Sequence, residues 1–182
     1  MTAKMHRDVE SIPYTEDTIR QRVASLGAEI SAEYRDTRPI LLGILKGSFV
    51  FLADLARCLT VDCEVQFISA ASYGSGAVSS GEVALSEGVP LDIAGRHVLV
   101  VEDILDSGVT LSHLLEYLQS LKPASLKVCV FLDKAAARRA PVTVHYRGFV
   151  CPNSFFVGYG LDYAERYRNL PYIGVLRPAV YA

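Results

Sequence analysis

The chain has 182 residues, is 51% hydrophobic and carries a formal net charge of −2. That length and apolar content suit a single domain, residues 1–182, with a conventional core. Without a basic stripe or polybasic run, neither nucleic acid nor a membrane surface is an expected partner. No stretch reaches the roughly 18 consecutive apolar residues of a spanning helix, and the opening MTAKMHRDVE lacks the apolar segment of a secretory signal. Cys58, Cys63, Cys129 and Cys151 stand singly in apolar surroundings, the pattern of buried reduced thiols. The chain reads as cytoplasmic.

Ile19, Val23, Leu26, Ile30 and Tyr34 recur at three- and four-residue intervals, which predicts an amphipathic helix from Thr15 to about Arg35. Thr15 is placed to cap it, with Glu16 and Asp17 in its first turn. The run PILLGIL from Pro39 does not alternate, as expected of a strand covered on both faces of a parallel sheet. A Lys46-Gly47 turn then leads into a helix over Ser48 to Leu59, and Val61 to Ala70 reads as a second strand. The segment SYGSGAVSSGEVALSEG is small, polar and glycine-rich. A loop of this length inside a compact domain is usually functional, so residues 71–88 are expected to form a lid, with a plain surface excursion as the alternative. His97 to Val101 is a third strand, EDILDSG a turn, and Leu111 to Leu121 a helix that Pro123 ends. Leu126 to Leu132 is a fourth strand. Strands alternating with helices predict an α/β fold with a doubly wound, mostly parallel sheet. The aromatic-rich stretch from about 142 to 182 is expected to fold over it as a small hood.

In open α/β sheets, ligands bind outside the carboxyl ends of the strands. VLVVEDILDSGVTL places Glu102, Asp103 and Asp106 at such an end, followed by Ser107, Gly108, Val109 and Thr110 at a helix start. Glycine allows close backbone approach, and helix N-terminal amides point toward anions. Three carboxylates would repel a bare phosphate, but they suit sugar hydroxyls or a divalent cation. The sequence therefore points to a phosphorylated sugar bound with Mg²⁺ between Val98 and Thr110; an acidic surface turn before a capped helix is the plain alternative.

VVEDILDSGVTL resembles the phosphoribosyl-pyrophosphate motif of type I phosphoribosyltransferases. FFVGYGLDYAERYRNLPYIGVL is similar to the narrower hypoxanthine-guanine phosphoribosyltransferase family, whose order is also followed by GILKGSFVFLADL, the SYGSG segment and LDK at Leu132 to Lys134. The resemblance implies purine salvage: transfer of the 5-phosphoribosyl group from phosphoribosyl pyrophosphate to N9 of hypoxanthine or guanine. It implies that Asp106 is the general base for purine N7, working at about 2.6–3.2 Å. Backbone and hydroxyls of Asp106 to Thr110 would hold the 5′-phosphate, and Glu102 and Asp103 the ribose hydroxyls and Mg²⁺. Lys46 and Gly47 match a pyrophosphate loop whose peptide is often cis in the family, and Arg168 matches a pyrophosphate clamp. Lys134 would read the purine O6, Phe155 would stack on the base, and the backbone of Phe156 would meet its edge. Asp162 would hold a second Mg²⁺ beside the base, and Ser72 and Tyr73 belong to the lid. Taken alone, Lys134 is a solvated lysine, Phe155 and Phe156 are core, and Tyr73 is an exposed tyrosine. The resemblance also implies a homodimer or homotetramer.

Two departures stand out. Ser107 replaces the usual threonine but keeps the hydroxyl. In KAAARR, Arg138 and Arg139 fall one residue later than in many relatives, which shifts the register of that turn. His6, His97, His113 and His145 match no catalytic position. A nucleotide-sensing RNA-binding regulator on the same fold would need a basic face, whereas the 18 Lys and Arg are outnumbered by 20 Asp and Glu. A preference for xanthine or a pyrimidine keeps the enzyme but changes the base, and the 6-oxopurines differ from one another only at C2.

Overall fold

The computed structural model describes residues 5–69 and 91–181. The expected lid at 71–88, with Ser72 and Tyr73, lies outside the described residues. A first strand, β1 (Val9–Tyr14), precedes helix α1 (Glu16–Glu33). Thr15 caps α1 as expected: its hydroxyl accepts from the Thr18 amide at 3.3 Å, and Ile19, Val23, Leu26 and Ile30 are buried. Then follow β2 (Ile40–Leu45), α2 (Phe49–Cys58), β3 (Glu64–Ser69), β4 (His97–Leu105), α3 (Val109–Ser120) and β5 (Ser125–Asp133). The chain ends with β6 (Tyr146–Val150), β7 (Phe156–Val157), β8 (Ile173–Leu176) and a short helix, α4 (Pro178–Tyr181).

Five strands form one sheet in the order β3-β2-β4-β5-β6, every pair parallel. Because successive strand residues face opposite sides, the apolar runs divide cleanly. Leu41, Leu99, Val101, Cys129 and Phe131 pack toward α1 and α2. Ile40, Leu42, Val98, Val100, Val128 and Val130 pack toward Leu111, Leu114 and Leu118 of α3. Each fully buried side chain of this size contributes about 1.5–3 kcal/mol, so both faces stabilise the two central strands. The four cysteines are free; Cys129 and Cys151 are buried, and Cys58 and Cys63 only partly so.

Two boundaries differ from expectation. The EDILDSG stretch is not all turn: β4 and β5 are each nine residues long and stay paired to Leu105↔Asp133. Glu102 and Asp103 are therefore held by the ladder, and the turn shrinks to Asp106-Ser107-Gly108. The stretch expected as hood from 142 first adds β6 to the main sheet. The hood itself is a three-stranded sheet, β1-β8-β7, antiparallel throughout. It has a small core of Val9, Val157, Tyr167, Tyr172 and Leu176.

Candidate active site

The turn after β4 is clamped from the far side of β5. Gly108 has a φ of +80°, a left-handed conformation that side chains resist, and a Cβ there would come within 2.8 Å of the Arg138 Cδ. Arg138 donates through Nε to the Asp106 carbonyl at 3.2 Å and pairs with the Asp133 carboxylate. Asp133, only 2% exposed, is also held by Arg147 at 2.7 Å. The amides of Arg139 and Ala140 donate to the Ser107 carbonyl at 2.8 and 3.1 Å. The shifted pair thus splits its work: Arg138 braces the turn by side chain, Arg139 by backbone. The first helical hydrogen bond of α3 runs from Ser112 to the Gly108 carbonyl, so the amides of Val109 to Leu111 lie ahead of the helical ladder, where an anion binds well.

Glu102 and Asp103 sit at the carboxyl end of β4. Burial, reinforced by the neighbouring Asp103 charge, pushes the Glu102 carboxyl well above its usual range. Burial likewise raises Asp103 to about 6, against backbone amides and the Arg168 charge that pull it down. One Glu102 oxygen, Oε2, is buried without a hydrogen-bond partner among the described residues. The Lys46-Gly47 loop packs directly on Asp103: a Cβ at Gly47 would fall 1.8 Å from its Oδ2, so only glycine fits. This loop carries a cis peptide, as expected, at Leu45–Lys46.

The opposite wall is the loop from Asp162 to Arg168. Ala164, Glu165 and Tyr167 all have positive φ without being glycine; such residues persist where surrounding contacts over-determine them and cluster at functional sites. Here the contacts are specific. Arg168 donates to the Gly160 carbonyl at 2.8 Å and pairs with Asp162 at 2.8 Å and Glu165 at 3.3 Å. Its Nε is buried without a partner among the described residues. Glu165 also pairs with Lys46 at 3.1 Å, so one carboxylate bridges the two cations expected to hold pyrophosphate. Tyr167 donates to Asp8 of the N-terminal segment at 2.8 Å, and that bond lowers the Asp8 pKa.

Between these walls lies a cleft of about 540 Å³ whose lining includes Lys46, Asp103, Asp106, Lys134, Phe155 and Arg168. The ammonium of Lys134 is paired with the Asp106 carboxylate at 3.0 Å. Lys134 is 8% exposed, not the solvated lysine of its plain reading. Phe155 is partly exposed on the cleft, while Phe156 is buried in the core beside it. Asp162 is occupied by Arg168 and by the Glu165 amide, which donates to it at 2.9 Å. Among the described residues no three Asp, Glu, His or Cys side chains converge as a ready metal cage. Asp103, Asp106, Lys46, Gly47, Lys134, Phe155, Phe156, Asp162 and Arg168 thus line one cleft; Glu102 and Thr110 line a smaller one that shares Gly47 and Asp103 with it, and Ser107 to Val109 line neither. A larger cleft of about 670 Å³ between α1, α2 and the hood shares only Arg168 with it.

Sequence reasoning missed Asp133, Glu165, and the Asp8–Tyr167 tie. An aspartate ending the apolar run VCVFL was a usable signal, because buried acids are nearly always paired.

Known proteins resemble this chain along its whole length. The phosphoribosyl transferase domain matches residues 14–164. The hypoxanthine-guanine phosphoribosyltransferase of Bacillus subtilis is 48% identical over 177 residues, covering 97% of this chain and 98% of that protein. A hypoxanthine phosphoribosyltransferase structure from Staphylococcus aureus superposes with a TM-score of 0.93 at 41% identity, covering 100% of this chain and 99% of the other. One from Trypanosoma cruzi, studied for the role of its C-terminal region, gives 0.91 at 42% identity over 98% and 97% of the two chains.

Proposed function

The chain belongs to the phosphoribosyl transferase domain family, and from that premise we propose how its residues share the work. It is an enzyme of purine salvage, transferring the phosphoribosyl group to hypoxanthine or guanine. In this reading the 5′-phosphate lies on the amides and hydroxyls of Ser107 to Thr110, Glu102 and Asp103 take the ribose hydroxyls, and pyrophosphate lies between Lys46, Gly47 and Arg168. As N9 of the base bonds to C1 of the ribose, the C1–oxygen bond to pyrophosphate breaks. Asp106 takes the proton from N7, and Lys46 and Arg168 hold the departing charge.

The observation that carries this reading is the Lys134–Asp106 pair at 3.0 Å in the cleft. Side by side they offer one donor and one acceptor. The edge of a 6-oxopurine protonated at N7 offers the complement, an O6 acceptor beside an N–H donor. Adenine offers two donors, so its 6-amino group would face an ammonium and leave a buried polar group unpaired. Phe155 stacks on the base and the Phe156 backbone meets its edge. Lys134→Met should lower kcat/KM for hypoxanthine and narrow its margin over adenine, measured with both bases and both proteins. An unchanged margin assigns base reading elsewhere.

Enzymes of this family generally need a metal ion. The unpartnered Glu102 oxygen and the carboxylate oxygens of Glu102 and Asp103 would suit one Mg²⁺ and those of Asp162 a second, each completed by substrate oxygens. Such an ion would neutralise pyrophosphate charge. A second copy of the chain, as a homodimer or homotetramer, belongs to the same proposal, as does a cytoplasmic setting. Among the described residues no helix is long and apolar enough to cross a membrane.

A further inference from the structure

Phe155 is held from outside the cleft. Its ring stacks on Tyr181 of α4, centroids 4.8 Å apart and planes inclined by 24°. Tyr163 meets it edge-on at 5.5 Å, and the two tyrosines contact each other at 6.4 Å. Neither tyrosine is among the cleft-lining residues, whereas Phe155 is. The Phe155 backbone is fixed through its carbonyl, which accepts from the Leu176 amide at 2.8 Å, but its side chain only skirts the hood core. Helix α4 is itself anchored: the Arg177 amide donates to the Asp8 carbonyl at 3.0 Å, and the Arg177 side chain donates to the Arg7 carbonyl at 3.1 Å.

We propose that Tyr181 is a positioning residue for the purine, backing the Phe155 ring and, with Tyr163, fixing the plane on which the base stacks. The inference rests on the reading of Phe155 as the stacking residue. An aromatic side chain anchored by two others loses little freedom when a base lies against it, so the stack forms without first freezing a rotamer. Tyr181 lies outside the cleft lining and meets Phe155 and Tyr163, so its influence reaches the cleft through the Phe155 ring.

The test is steady-state kinetics on the wild type, Tyr181→Ala, Tyr181→Phe and Phe155→Leu, varying hypoxanthine and phosphoribosyl pyrophosphate separately. Tyr181→Ala should raise the KM for hypoxanthine by about three- to tenfold, the worth of one aromatic pair. It should leave kcat and the KM for phosphoribosyl pyrophosphate near wild type. Tyr181→Phe keeps the ring and should restore the wild-type KM. An unchanged or lowered hypoxanthine KM in Tyr181→Ala, or an equal rise for both substrates, overturns the proposal while Phe155→Leu still raises that KM. If Phe155→Leu leaves it unchanged, the stacking reading itself fails and the inference goes with it.

Discussion

The end of β4 with the turn at Asp106 and the loop from Asp162 to Arg168 line one cleft, yet they are built by opposite means. The turn is an extension of regular structure: two nine-residue parallel strands deliver it in register and α3 carries it away. A single positive-φ glycine makes the corner. The loop has three non-glycine residues with positive φ, and beyond a tight Tyr163–Arg166 bridge its shape comes from side-chain ion pairs and the long-range Tyr167–Asp8 hydrogen bond. Groups that must stay fixed while a bond forms gain from a ladder. Groups that bind and then release a charged product gain from partners that can be exchanged. In this structure Lys46 and Arg168, the cations proposed to hold pyrophosphate, already pair with carboxylates, which the substrate would have to displace.

The comparison breaks most visibly at Asp106. Asp106→Asn should lower kcat by about 10²–10⁴-fold, the usual contribution of a general base. Phosphate contacts through backbone amides should persist, so the KM for phosphoribosyl pyrophosphate should stay near wild type. Full activity with hypoxanthine across neutral pH would assign the proton transfer to another group.

Next in size is the brace beneath the turn. Arg138→Met removes the bond to the Asp106 carbonyl and one of two partners of buried Asp133. Chemical denaturation should show a loss of about 1–3 kcal/mol, the cost of leaving a buried charge under-satisfied. Phosphoribosyl-pyrophosphate affinity should fall as the turn loosens. Unchanged stability would mean that Arg147 satisfies Asp133 alone.

A pH experiment separates Asp103 from both. With its carboxyl raised to about 6 from an unfolded value near 3.8, the folded state holds the proton more tightly. Stability from this group is then fully present below pH 3.8 and lost as pH rises through 6. Without ligands or metal, Asp103→Asn should therefore gain on wild type between about pH 4 and 7 in thermal melts. A parallel pH course for the two proteins would show that the carboxyl is not raised.

The smallest expected effect is on the loop. Glu165 is 65% exposed and its ion pairs are open to solvent, so each contributes little. Glu165→Gln frees Lys46 for the substrate and removes one of the two carboxylates paired with Arg168. Inhibition by added pyrophosphate should tighten by about twofold to fivefold, with the hypoxanthine KM unmoved. Weaker inhibition would instead make Glu165 an organiser of the two cations.

The same contrast decides what the sequence disclosed. The turn was legible because its acids, glycine and hydroxyls are contiguous and sit between an apolar strand and a helix of clear periodicity. Only its start was misplaced, since nothing local says that β5 runs far enough to pair Leu105 with Asp133. The loop was legible solely through resemblance. Tyr167 and its partner Asp8 are 159 residues apart, and β1 pairs with β8 from the other end of the chain. β1 buries only Val9 fully and shows no alternation to announce a strand. Glu165 looks like any exposed acid until folding sets it between two cations.

Product analysis tests the central claim most directly: purified protein with phosphoribosyl pyrophosphate, Mg²⁺ and one base, nucleotide and pyrophosphate measured together. With hypoxanthine or guanine, the account predicts equal amounts of the 5′-monophosphate nucleotide and pyrophosphate, and with adenine at most a trace of either. Adenine nucleotide forming at a matching rate, or pyrophosphate released without nucleotide, would contradict it.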